Sequence, residues 1–189
     1  YAYHIIHISL NHSNKKKSNN TLEEDIHLAS DWVVKALNSS GYKADYSLES
    51  MKEIDRFFDE QSGKTGLLSK NRGTILFSLA SYIGETAIKL YGGEWVTDDS
   101  DPQGEINISV KLRNGTVIWP VLRCMKRCEQ GYEESIYAYL FFLTIDLIER
   151  QIPVCRTIDT AENLKVLLVA AIAFQKGHVH RVHADVRPG

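Results

Sequence analysis

A chain of 189 residues, 43% of them hydrophobic, is long enough for one cored domain of about 120 to 160 residues with less ordered ends. Its formal charge of -2 provides no global basic field, which argues against nucleic acid as a partner and confines electrostatic recognition to local patches. Cys124, Cys128 and Cys155 form an odd set without framework spacing, as expected in a reducing compartment, so a cytoplasmic location is favoured over a disulfide-stapled secreted scaffold.

Residues 1–20 begin with a short apolar run, YAYHIIHISL, which lacks the flanks of a signal peptide and reads as an extra strand or added segment. It is followed by the polar linker NHSNKKKSNN. Thr21 and Glu24 have capping-box spacing and open a first helix, whose apolar face is Ile26, Leu28, Ala29, Trp32, Val33, Ala36 and Leu37, up to Gly41. A second helix carries Met51, Ile54, Phe57 and Phe58, with Ser47 as its N-cap, and Gly63 stops it. A third runs from about Asn71 to Tyr91, with Ile75, Leu76, Leu79, Ala80, Ile83, Ala87 and Leu90 facing inward and Gly92-Gly93 at its end.

The period then changes from helical to alternating. In EINISVKL, Ile106, Ile108, Val110 and Leu112 alternate with polar residues, and Asn114-Gly115 predicts a type I′ turn, so residues 105–119 read as a hairpin with one buried face. GEWV, at 93–96, supplies a third short strand. After Pro120 the chain reads helical to Gly131, and a longer apolar helix follows through EESIYAYLFFLTIDLIER. Beyond a linker at 152–159, Thr160 caps a last helix over 161–175. The expected architecture is α+β: a single domain over 21–150 with helices flanking a small antiparallel sheet, then a C-terminal helix and tail over 151–189. The longest apolar stretch, 166–174, has about half the length a bilayer crossing needs, so no membrane span is expected.

Within this pattern, Gly84-Glu85 inside a helix, Gly93-x-Trp95, a short sheet, and Pro120 followed by Lys126-Arg127 are the features that resemble a widespread set of uncharacterised bacterial α+β proteins. The resemblance spans roughly Ser40 to Leu143. It implies an α+β fold and a bacterial source, and it brings no catalytic residues with it.

Gly63-Lys64-Thr65 invites comparison with a phosphate-binding loop. That motif needs a glycine five positions before Gly63, where Phe58 stands, and a strand ahead of it, where a helix is predicted, so it reads as a helix end and an exposed loop. The stretch EWVTDDSDPQGE carries Asp98, Asp99, Asp101 and Glu105 with no basic residue among them. It half mimics a calcium loop, but Val110 stands where the bidentate glutamate belongs, so it reads as a solvated turn or an acidic patch for a basic protein partner. Glu85 is expected to be half buried near Trp95 and paired with Lys126 or Arg127, and Trp95 and Trp119 are expected to be buried between sheet and helices. Cys124 and Cys128 share a helix side without further ligands, and His178, His180, His183 and Asp185 form a terminal His-rich tract, so neither group predicts a metal site and no cofactor is expected.

The residues favour a binding protein without catalytic activity, its sharpest form being an immunity protein that neutralises a toxin by protein–protein contact. One alternative is a small-ligand protein or enzyme with a pocket between the third helix and the sheet, walled by Glu85, Trp95 and Trp119. Another is a structural subunit of an assembly. The oligomeric state is left open.

Overall fold

The computed structural model describes residues 20–151. The expectations for the N-terminal segment, the helix over 161–175 and the His-rich tail lie outside the described residues. In chain order the elements are α1 (Leu22–Ser39), α2 (Ser50–Gln61), a 3-10 turn (Leu67–Ser69), α3 (Arg72–Tyr91), β1 (Gly93–Val96), the single turn α4 (Gly104–Asn107), β2 (Ser109–Leu112), β3 (Val117–Ile118), α5 (Pro120–Gln130), a second 3-10 turn (Gly131–Glu134) and α6 (Ile136–Gln151). This is an α+β fold with a three-stranded antiparallel sheet in the order β1-β2-β3. One compact unit ends at Leu147. No described helix is long and apolar enough to cross a membrane.

Helix α3 is the axis of that unit, packing against α1, α5 and the inner face of the sheet. It can do so because apolar or small residues surround it, and Leu79, Ala80, Ser81, Tyr82, Ile83 and Ala87 are all fully buried. Met51, Ile54 and Phe58 of α2, Ile108 and Ile118 from the sheet region, and Ile136 of α6 complete the same core. The Tyr82 hydroxyl is satisfied inside it, 2.6 Å from Ser50 Oγ and accepting the Tyr46 N–H at 3.1 Å. Leu28 and Leu90, assigned by periodicity to inward faces, are instead exposed at the margins of their stripes.

Local chemistry sets the ends of the helices. Thr21 and Glu24 form the expected capping box at the start of α1. Glu49, not Ser47, is the N-cap of α2, and Ser47 instead accepts the Ser50 N–H through Oγ at 3.1 Å in the turn that leads into the helix; Asn71 is the N-cap of α3, without a side-chain cap bond. Asp55, on α2, caps α6 from a distance: its carboxylate accepts the Ile136 and Tyr137 N–H groups at 2.9 and 3.0 Å and the Ser135 hydroxyl at 2.6 Å.

The hairpin departs from the expected 105–119 span in two ways. Its first strand begins only at Ser109, because Asp101 accepts the Gln103 N–H at 2.8 Å and the Asn107 amide at 2.7 Å, winding residues 104–107 into the single turn α4. Ile106 is therefore exposed rather than inward-facing, while Ile108, Val110 and Leu112 are buried as the alternation predicts. The turn is also not type I′, since only Gly115 of the Asn114-Gly115 pair has positive φ, at 88°. Gly115 N–H reaches Leu112 O at 2.9 Å and Leu112 N–H reaches Thr116 O at 2.8 Å, closing a three-residue loop with glycine at the left-handed position.

Candidate functional site

The acidic stretch folds as the connection between β1 and β2, and its carboxylates divide into those used by the fold and those left at the surface. Asp99 reaches across to α1 and accepts the Leu22 N–H at 2.6 Å, satisfying one of the free amides of that helix's first turn. Asp101 is occupied by the turn just described. Asp98 accepts the N–H and hydroxyl of Ser100 at 2.9 and 2.6 Å, and these bonds, the hydroxyl foremost, hold its carboxyl below the usual carboxylate range. Glu105 is exposed on α4. With Asn20 and Asp25 of the α1 end, these residues line an open cleft of about 420 Å³. Among the described residues, no group of three His, Cys, Asp or Glu side chains is placed to hold a metal ion.

Glu85, Trp95 and Trp119 do not wall a common pocket. The outer edge of the Trp95 ring lies against Gly84 of α3, and three of its carbons stand within 3.0 Å of where a Cβ would be, so the glycine is what lets strand and helix approach. Trp95 is 9% exposed and fills the space that a pocket would need. Its indole Nε1–H donates to Glu85 Oε1 at 2.8 Å, and His27 Nδ1 of α1 lies 2.9 Å from the same oxygen. The partner of Glu85 is thus neither Lys126 nor Arg127. The expectation failed because His27 lies about sixty positions away in sequence, on a helix whose packing against α3 no short-range pattern reveals.

Arg127 is used elsewhere. It is buried against α2, donating from Nε to Asp55 at 2.9 Å and from a single terminal nitrogen, Nη2, to both Asp59 and the Asp55 carbonyl. With Ser135 and the α6 amides around the same carboxylate, this network ties α2, α5 and the start of α6 together. It was not foreseen, although Asp55 on an otherwise apolar helix face was a readable signal of a buried acid in need of partners. Cys124 is fully buried, and burial pushes its thiol far up, so it is an unreactive core residue. The Gly63-Lys64-Thr65 segment is exposed between α2 and the first 3-10 turn, with a helix where a phosphate loop needs a strand.

Trp119 contradicts its predicted burial: it is 48% exposed. Ile118 takes the inward place on β3 and pairs with Val110, while Lys111 faces Val117. The period of two therefore turns Val117 and Trp119 to the outer face. On β1, Trp95 points inward, leaving Glu94 and Val96 outward, with Val96 opposite Ser109. Continuing the register one residue past β3 sets Trp119 on the other side of Ser109. Ser109 is only 7% exposed although it points outward, as expected if neighbouring side chains cover it. Val96, Val117 and Trp119 thus form an apolar outer face, and Ile106 of α4 and Leu122 of α5, two elements in contact, are exposed at the same end.

No family model, curated protein or solved structure matches this chain.

Proposed function

We propose that this chain is a protein-binding module without catalytic activity, with a basic protein as its partner. The supporting observation is the seating of Trp95 on Gly84, which occupies the space between α3 and the sheet that a ligand pocket would need. For the alternative reading to operate, Trp95 would have to leave the core and give up its bond to Glu85. What the fold presents instead is surface: over residues 93–119 there are five carboxylates (Glu94, Asp98, Asp99, Asp101, Glu105) against two cations (Lys111, Arg113). Such a face steers a basic partner and penalises an acidic one. The immunity form of this reading, inhibition of a toxin by occlusion, takes its bacterial setting from the resemblance over residues 40–143.

The test is co-purification with the product of each neighbouring gene, using the full chain and a variant carrying Asp98→Asn and Glu105→Gln. A neighbour retained by the parent, released by salt and weakened by the variant is the expected result. Retention unaffected by salt and by both substitutions would refute the electrostatic reading, and saturable binding of a small metabolite that displaces Trp95 would replace it.

A further inference from the structure

We propose that the loop between β2 and β3 modifies itself: the backbone nitrogen of Gly115 converts Asn114 to aspartate and isoaspartate, and the isoaspartyl product loosens the pairing of the two strands. The change is covalent and takes place whatever the chain binds. Gly115 N attacks Asn114 Cγ and gives up its proton, the Cγ–Nδ2 bond breaks, and Nδ2 takes up a proton and leaves as ammonia, closing a succinimide ring. Water then opens the ring, its hydroxyl going to one carbonyl carbon and its proton to the ring nitrogen. Addition at Cγ restores the ordinary main chain as aspartate. Addition at the main-chain carbonyl of residue 114 leaves the chain running through the side chain, as isoaspartate. Water is the sole co-reactant.

The loop places each reacting group for this step. Gly115 is exposed, and a Cβ there would meet nothing within 4 Å, so neither a side chain of its own nor a neighbour shields the attacking nitrogen. Asn114 Oδ1 accepts the Thr116 N–H at 3.0 Å. That bond folds the side chain back over the Gly115 peptide and polarises the Cγ carbonyl, because a donor stands where negative charge develops as Cγ becomes tetrahedral. The leaving nitrogen is held by nothing: among the described residues Asn114 Nδ2, itself buried, has no hydrogen-bond partner. Other asparagines differ on both counts. The amides of Asn20, Asn38 and Asn107 donate to Asp25, to the Val34 and Ala44 carbonyls and to Asp101, and these three and Asn71 are followed by residues that carry a Cβ. One bond opposes the attack, since Gly115 N–H donates to Leu112 O at 2.9 Å. It lies at an exposed turn, where local opening is frequent. The isoaspartyl link then adds a main-chain carbon to a loop whose closing bonds, Gly115 N–H to Leu112 O and Leu112 N–H to Thr116 O, span three residues.

The test incubates the full chain in mildly alkaline buffer and digests samples with a lysine-specific protease. The 112–126 fragment is followed by mass spectrometry, with electron-transfer fragmentation to tell isoaspartate from aspartate. Both products are expected to accumulate at Asn114 ahead of every other asparagine, no more slowly than in a synthetic peptide of residues 110–118. Gly115→Ala, whose methyl group crowds the attacking nitrogen, should slow the conversion by about tenfold. Asn114→Gln, whose side chain is one carbon longer, should stop it on the same timescale, and urea midpoints of both variants check that the fold is intact. Aspartate without isoaspartate would show direct hydrolysis and overturn the attack by Gly115, as would a Gly115→Ala chain that converts at the parent's rate. Slower conversion in the folded chain than in the peptide would show that the loop protects Asn114 and would overturn the placement. The isoaspartyl chain, separated by ion exchange, should unfold at a lower urea concentration than the fresh chain, and an equal midpoint would overturn the loosening of the hairpin.

Discussion

Replacing Gly84 with alanine tests the joint between α3 and the sheet. A Cβ at this position would meet three carbons of the Trp95 ring within 3.0 Å, the third of them at 3.0 Å. Carbon atoms pack at about 3.5 to 4.0 Å, so the ring must retreat by on the order of 1 Å or more. The flexible end of a side chain could yield cheaply, but this is a rigid bicycle that is 9% exposed and tethered through Nε1 to Glu85 at 2.8 Å. A retreat of that size stretches the hydrogen bond beyond useful length. Overpacking of this kind costs about 1 to 3 kcal/mol. Weakening a bond to a largely buried carboxylate adds about 1.5 to 3 kcal/mol, and alanine returns about 1 kcal/mol of helix propensity. The expected net destabilisation is about 1.5 to 5 kcal/mol, read from the urea midpoint of Gly84→Ala against the parent. The double variant with Trp95→Leu should lose less than the sum of the single losses, because the smaller side chain makes room for the methyl group. A Gly84→Ala protein as stable as the parent or more so would refute the close-approach account of this glycine.

Asp55→Asn should be the most damaging single substitution in the polar interior. It removes the more buried of the two carboxylates that Arg127 faces, leaving Asp59, and with it half of the cap of α6, at a cost of about 3 to 5 kcal/mol in urea unfolding, and a loss below about 1 kcal/mol would show the network to be dispensable. Lys64→Ala should change stability by less than about 0.5 kcal/mol, and calorimetry with ATP and magnesium should show no heat of binding, since the loop is exposed and lacks the phosphate-loop geometry. Burial, followed by the 2.6 Å bond it donates to Glu60, raises the Tyr42 phenol from 10.0 to about 12. Because the folded state favours the protonated phenol, that part of the stability is complete below pH 10 and is lost between pH 10 and about 12. Tyr42→Phe should flatten the decline over that window in a pH series of denaturation midpoints, and an unchanged slope would place the titrating group elsewhere.

The elements readable in the sequence were those whose signals are local. The Thr21 capping box, the Gly131 stop after α5 and the alternation over Ile108, Val110 and Leu112 each rest on residues within a turn or a strand of one another, and each appears where expected. The strand start at 105 failed for an equally local reason, since the turn expected in the acidic stretch continues from Asp101 and Pro102 into a helical turn that uses up the first alternating positions. The partners of Glu85 and Arg127 failed for a different reason. Sequence showed that a half-buried carboxylate at Glu85 needs compensation, but not which of several opposite charges tertiary packing would bring near, nor that Arg127 would itself be buried. Helix α1 delivers His27 to Glu85, and α2 delivers Asp55 and Asp59 to Arg127.

Trp95 and Trp119 illustrate how use by the fold separates residues that look alike in sequence. Each ends a short strand-like run beside aliphatic neighbours, and each was expected in the core. Trp95 has a place there because Gly84 leaves room for the edge of its ring and Glu85 accepts its N–H, satisfying the one polar atom that an indole carries inward. Trp119 has neither, because the parity of β3 gives the inward position to Ile118 and ends the strand there. The acidic stretch divides in the same way: Asp99 and Asp101 are occupied by α1 and α4, while Asp98 and Glu105 make no bond that ties the connection to another element. The residues released from structural duty are thus an exposed indole with its aliphatic neighbours on the sheet, and two carboxylates on the connection that lines the cleft beside α1.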